Sequence, residues 1–185
     1  MLVVQAKHMG MCFGVRDALD TMRNLPEPSR VTVHGELVHN PVVTQELALR
    51  GFHQQSESER DSDPKTPEVL ITAHGVSDKQ MKAFAQRGYE VHDTTCPLVR
   101  RAHKACLHYH SKGYFIVVVG RRGHVEVEGL IGDLERFDQI SDLEDVKRYD
   151  ASKIAIVNQT TTRPDVLESF HHRIQKANTL SLIHI

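Results

Sequence analysis

The residues with the most chemistry in this 185-residue chain recur at one kind of position: each follows a short β-rich run. Cys12 lies in Gly10-Met11-Cys12-Phe13-Gly14-Val15, after the run Leu2-Val3-Val4. His34 and His39 follow Val31-Thr32-Val33, His74 follows Val69-Leu70-Ile71-Thr72, and Cys96 follows Tyr89-Glu90-Val91. His124 and Glu126 come after Phe115 to Val119, and Gln159 to Thr162 after Ile154-Ala155-Ile156-Val157. In a parallel α/β sheet the carboxyl edge binds ligands, because loops converge there and helix N-termini present free N-H groups and a positive dipole end.

A cysteine at a helix start has its thiolate favoured by the helix dipole, and the glycines flanking Cys12 let backbone approach a bulky inorganic group. A lone intracellular cysteine is more often a small buried hydrophobe. Cys96, in Asp93-Thr94-Thr95-Cys96-Pro97, repeats the strand-to-helix setting, and together the two read as metal ligands. Soft thiolates on separate loops suit an iron-sulfur cluster or zinc, although neither cysteine shows the C-x-x-C or H-x-x-x-H spacing usual for zinc. Cys106 shares a helix face with Ala102 and Tyr109 and reads as a core thiol.

His39, His74 and His124 each precede a predicted helix N-terminus, where imidazole and backbone N-H groups can clamp a diphosphate without a basic surface. Glu126 becomes a proton donor if burial raises its pKa, with Glu128 the alternative on spacing alone, and Thr160 or Thr161 can orient a substrate hydroxyl. Two half-motifs fail. Glu36-x-x-His39 resembles half of a di-iron site, but Asn40-Pro41 breaks the helix such a site needs. His124-x-Glu126 resembles the start of a zinc deaminase motif, with no P-C-x-x-C after it. The absence of G-x-G-x-x-G and of a P-loop argues against a nucleotide cofactor.

The elements that must hold these residues alternate strand and helix, which predicts a parallel α/β fold. Val15, Ala18, Leu19 and Met22 form a helical stripe stopped by Pro26 and Pro28; Leu98, Ala102, Ala105 and Tyr109 form a second, closed by Gly113; a third helix runs from Pro164 to about Lys176. The pattern predicts two similar small domains with parallel sheets, residues 1–96 and 97–177, with an atypical tail over 178–185 that has no capping pattern or obvious purpose. Gln54 to Pro67, polar and carrying two prolines, predicts an exposed mobile loop. With 23 Lys and Arg against 24 Asp and Glu, the net charge of -1 gives no field to gather nucleic acid or coat a membrane. No apolar run reaches membrane-span length, no signal peptide is evident, and three cysteines cannot close a disulfide framework, so the expected location is cytoplasmic. Histidine is enriched, 13 of 185, which favours a metal or phosphate site.

At these residues the chain resembles the LytB family, the 4-hydroxy-3-methylbut-2-enyl diphosphate reductases that end the non-mevalonate isoprenoid route. The matching stretches are Gly10 to Val15, Val38-His39-Asn40, Ala73-His74-Gly75-Val76-Ser77, Asp93 to Val99, Gly123 to Gly129 and Gln159-Thr160-Thr161. The resemblance implies an oxidoreductase with a 4Fe-4S cluster, Cys12 and Cys96 being two of its three cysteine ligands. It implies that His39, His74 and His124 bind the diphosphate with Gln159 and Thr161 among the substrate-binding residues, that Glu126 delivers a proton, and that Thr160 positions the alcohol. The implied substrate is an allylic diphosphate, the products are isopentenyl and dimethylallyl diphosphate, and the electron donor is a ferredoxin or flavodoxin. The family has three similar α/β units around its cluster. This chain corresponds to roughly the N-terminal two-thirds, without a counterpart of the third ligand cysteine, and its last residues resemble nothing in the family. The expectation is therefore a truncated or frame-lost reading whose uncovered apolar face drives self-association. The alternative is a non-catalytic homologue that binds diphosphate or a protein partner, and a third reading takes the same His and Cys loops for a mononuclear zinc hydrolase.

Overall fold

Two four-stranded parallel sheets carry the chain in a computed structural model that describes residue 4, residues 10–178 and the backbone of residues 181–184. The first sheet has the order β2-β1-β3-β4, with β1 at Val31–His34, β2 at His53–Gln54, β3 at Glu68–Ile71 and β4 at Glu90–Asp93. Its helices are α1 (Phe13–Asn24), α2 (Pro41–Arg50) and α3 (Asp78–Gln86). The long helix α4 (Pro97–Ser111) leads into the second sheet, whose order is β6-β5-β7-β8. There β5 is Phe115–Val119, β6 Phe137–Ile140, β7 Lys153–Asn158 and β8 Ser181–His184, with helices α5 (Val125–Ile131) and α6 (Pro164–Ala177). The parallel α/β class expected from the alternation of strand and helix is the fold observed.

The central strands are the continuous apolar runs that a sheet covered on both faces requires. In β5 the four residues Ile116 to Val119 are all buried, and they divide by parity. Ile116 and Val118 pack with Cys106, Val127 and Leu130 under α4 and α5, while Val117 and Val119 pack with Ile156, Phe170 and Ile174 under α6. The first sheet repeats the arrangement: Val31, Val33 and Leu70 meet Ala18, Met22 and Leu47 of α1 and α2, and Val69 and Ile71 meet Phe84 of α3. Helix α2 ends at Gly51, whose φ of 88° is the left-handed conformation that closes a helix at little cost only in glycine. Registers are in phase, with His34 opposite Ile71 and Ile71 opposite Asp93 in one sheet and Val119 opposite Asn158 in the other. The loops after β1, β3 and β4 therefore leave from one edge, and those after β5 and β7 from another.

One sequence expectation is corrected, and three short strands are added. The polar stretch from Gln54 to Pro67 is anchored: Gln55 is buried and receives a hydrogen-bonding partner from His34 Nδ1 (2.9 Å), while Glu57 accepts from the Glu36 amide (2.9 Å). Its polar residues pair with one another and with the loop after β1, so composition alone misread it. The backbone of residues 181–184 adds β8 beside β7, Lys153 opposite Ser181. It enters from Asn178, a buried cap that accepts from the Tyr149 amide (2.8 Å) and donates to Lys147 O (3.1 Å) and Ile174 O (2.9 Å). Strands β2 and β6 were also missed, being short or half polar. The run Leu2-Val3-Val4 falls largely outside the described residues.

Replacing Asn178 by Ala leaves the Tyr149 amide buried without an acceptor, so the expected loss is about 1–3 kcal/mol of unfolding free energy. Urea denaturation checks this, and a change below about 0.5 kcal/mol, the range of ordinary surface substitutions, would show that the cap carries no weight.

Candidate functional site

Three imidazoles from three strand-end loops meet across the two sheets. His39, on the loop after β1, has its ring centroid 4.7 Å from that of His74, on the loop after β3, and 5.8 Å from that of His124, which caps α5; His74 and His124 are 5.4 Å apart. One nitrogen of each lies within 4.8 Å of the others. Each ring stands beside a helix start, because Asn40 caps α2 by accepting from Val42 N (2.9 Å) and Ser77 caps α3 by accepting from Gln80 N (3.2 Å). His34, the other histidine of the first loop, is not part of this group: it is fully buried between Gln55 and Gln80.

Hydrogen bonding decides what the cluster can hold. A backbone N-H can only donate, so the 3.2 Å bond from Glu126 N to His124 Nδ1 fixes the neutral ring with its proton on Nε2. That nitrogen is then a donor for an anion and has no lone pair to give a metal, which counts against the zinc hydrolase reading. His39 Nδ1 pairs with Glu36 Oε2 (2.9 Å), an arrangement that favours a donor at Nε2 whenever the ring is protonated. His74 Nε2 is shielded from solvent and without a partner among the described residues, a polar atom that a ligand oxygen would satisfy. Burial, then the neighbouring His39 and His124 and the Arg60 guanidinium, bring the His74 pKa down to about 4. Burial, and after it Arg121 and His39, lower that of His124 as well.

Glu126 occupies the first turn of α5 and is 2% exposed. Its carboxylate accepts from Thr160 N (2.6 Å) and Thr160 Oγ1 (3.1 Å). Burial raises its pKa, and the two Thr160 bonds oppose but do not cancel that effect. Glu128 is exposed, so of the two carboxylates that spacing left open only Glu126 has the environment of a proton donor. Thr160 likewise separates from Thr161, which is exposed and accepts from Gln159 Nε2 (3.1 Å). Gln159 Oε1 accepts from Arg121 N (3.2 Å), so its amide ties the loop after β7 to the loop after β5.

Cys12 and Cys96 cap α1 and α4, and neither side chain makes a capping bond. A Cβ at Gly14 would lie 2.5 Å from Cys96 Sγ, so glycine there lets the Cys96 thiol rest against the first turn of the helix that Cys12 opens. Cys96 N donates to Ala73 O (3.0 Å), which places this thiol beside the loop of His74. Two soft donors at helix N-termini fit part of a metal cluster's ligand set. Cys106 fits none of it, being fully buried with its thiol pushed up to about 12 by burial and Asp133. Among the described cysteines the donor set is thus two thiolates.

Sequence pattern does not mark Glu57 and Arg60, and it offers Glu36 only as half of a di-iron motif rather than as the hydrogen-bond partner of His39. Arg60 donates to Gly75 O (3.1 Å) and to Glu57 (3.3 Å), which sets a largely buried cation next to His74. No spacing marks Glu57 or Arg60; only the folded loop brings them to the histidines.

The chain matches a family model described as LytB protein over residues 3–183. A 4-hydroxy-3-methylbut-2-enyl diphosphate reductase of Thermoanaerobacter sp. (strain X514) is 36% identical over 135 residues, covering 71% of this chain and 47% of that protein. One of the same name from Halalkalibacterium halodurans is 36% identical over 187 aligned residues, covering 95% of this chain and 60% of that protein. A solved structure of (E)-4-hydroxy-3-methyl-but-2-enyl diphosphate reductase, described as the terminal enzyme of the non-mevalonate pathway, superposes with a TM-score of 0.78 at 28% identity, over 98% of this chain and 66% of that one. The chain spans about half the length of the curated relatives it matches.

The depressed histidine pKa values have a signed consequence. A bound anion would stabilise the imidazolium form of His74 and draw its pKa back up, so binding takes up protons and tightens as pH falls toward the unliganded value of about 4. Isothermal titration with inorganic pyrophosphate in buffers of different ionisation enthalpy is expected to give more proton uptake for the parent chain than for His74→Asn. Equal uptake in both would contradict a role for His74 in the anion site.

Proposed function

Because this chain belongs to the LytB protein family, we propose that His39, His74 and His124 bind the diphosphate of 4-hydroxy-3-methylbut-2-enyl diphosphate and that Glu126 serves the hydroxyl end in its reduction to isopentenyl and dimethylallyl diphosphate. The observation that carries this reading is the three-ring cluster with His124 held as a donor by the Glu126 amide. His124 Nε2 donates to a phosphate oxygen, the solvent-shielded His74 Nε2 gains its missing partner, and His39, held in place by Glu36, closes the third side of the clamp.

The reaction replaces C-OH by C-H and needs two electrons and two protons, with water leaving. Glu126, protonated more readily than an exposed carboxyl, supplies a proton to the departing hydroxyl, and Thr160 fixes both the carboxyl and the alcohol. A 4Fe-4S cluster, when bound, would supply the electrons and a Lewis-acidic iron for the hydroxyl oxygen, fed by a ferredoxin or flavodoxin. Cys12 and Cys96 are the thiolates this chain offers it. Reduced thiols go with a cytoplasmic setting, and no helix among the described residues is long and apolar enough to cross a membrane. A second reading, diphosphate binding without turnover, is favoured by one observation: the three-histidine cluster is assembled without a cysteine.

Anaerobic reconstitution separates the two. Stoichiometric iron and sulfide with turnover is the outcome for the reductase, and Glu126→Gln then keeps pyrophosphate affinity within about twofold while losing at least about a hundredfold in rate, as removal of a general acid does. A near-normal rate in Glu126→Gln would overturn its role. Pyrophosphate binding without retained iron selects the second reading.

A further inference from the structure

One carboxylate at the seam between the two sheets is used by both of them. Asp133 lies just beyond α5, in the second unit, yet its oxygens accept from the first amides of α3 in the other: Oδ2 from Asp78 N (2.6 Å) and Oδ1 from Lys79 N (2.9 Å). Oδ2 also pairs with His103 Nε2 of α4 (2.9 Å), and the Asp133 and His103 side chains are 8% and 11% exposed. The local cap, Ser77, reaches only Gln80 N, so the amides of Asp78 and Lys79 depend on the neighbouring unit for an acceptor. Burial works against the Asp133 charge, but the two amides and His103 outweigh it and hold this carboxyl below its usual range.

The same contact is built for close approach. A Cβ at Gly132 would lie 2.8 Å from Ser77 Cβ, and one at Gly129 would meet the Val76 backbone at 3.5 Å. The segment so gripped begins at His74. The helix that grips it, α5, begins at His124 and is about 10 Å long at 1.5 Å per residue. Fixing the far end of so short a rod fixes the placement of its first residue.

We propose that Asp133 is a positioning residue for the three-histidine pocket: by clamping the first turn of α3 to the end of α5 it sets His74 against His124. The affinity readout below rests on the anion-binding reading of that pocket; the geometric readout does not.

The test compares the full chain with D133A by NMR and by titration with inorganic pyrophosphate. In D133A the Asp78 and Lys79 amides exchange at least about tenfold faster, as loss of a charge-assisted hydrogen bond dictates, while protection of Leu70 in β3 and Val117 in β5 is unchanged. Pyrophosphate affinity falls about tenfold, equivalent to about 1.4 kcal/mol, and the ring-to-ring nuclear Overhauser contacts between His74 and His124 weaken. Affinity within twofold of the parent, with those ring contacts intact, would overturn the proposal. If the parent chain does not bind pyrophosphate, the functional reading fails by itself and the ring contacts alone decide: kept in D133A they overturn the clamp, lost they support it. Should D133A not fold, D133N, which keeps the shape and turns one acceptor into a donor facing an amide, is subjected to the same comparison.

Discussion

The constraint on which the rest depends is the glycine-lined approach of α5 to the segment after His74. A side chain at Gly132 would push against Ser77, so the seam would have to shift there, while at Gly129 the helix lies in ordinary contact with the Val76 backbone. A parallel sheet can deliver reactive loops only to its own carboxyl edge, because crossovers return every strand in the same direction. One sheet here supplies His39 and His74, the other His124, Glu126 and Thr160, so the pocket exists only where the edges face each other at backbone distance. Close packing also explains why the histidine rings are desolvated, since the seam that aligns them takes water away from them.

Desolvation also bears on how a chain with a net charge of -1 would receive the highly charged anion proposed for it. The pocket does not hold standing positive charge at His74 or His124, whose pKa values are lowered, the first by burial and by its ring neighbours. It holds a donor of fixed direction at His124, and under the proposed reading charge would develop at His74 on anion binding. The buried Arg60, anchored to Gly75 O and Glu57, adds a cation that cannot swing into solvent. Glu126 is governed by the same burial with opposite sign. Removal from water raises a carboxyl as it lowers an imidazole, so one seam pushes the histidines at one end and Glu126 at the other in opposite directions.

Much of this was legible in the sequence because βα punctuation is legible. His39, His74, His124, Glu126 and Thr160 all follow runs whose apolar character announces a buried strand, and the positions of Cys12 and Cys96 at helix starts followed from the same reading. Cys106 was assignable to the core from helical spacing. What could not be read depended on contacts without local pattern. The loop carrying Gln55, Glu57 and Arg60 looks mobile by composition and is fixed by partners more than twenty residues away in Gln55 and His34, or in Glu57 and Glu36. The choice of Glu126 over Glu128 is a matter of which side of a helix faces inward, and β8 is visible only once β7 offers an edge to pair with.

The central claim is that the three histidines form an anion receptor whose His124 carries its proton on Nε2. Long-range proton-nitrogen correlation spectra of the histidine rings in the unliganded chain at pH 7 read that proton directly. The account predicts a neutral His124 in the Nε2-H form alongside a neutral His74. A His124 protonated on Nδ1 instead would free Nε2 as a lone-pair donor, turn the cluster into a metal-ligand set, and contradict the account.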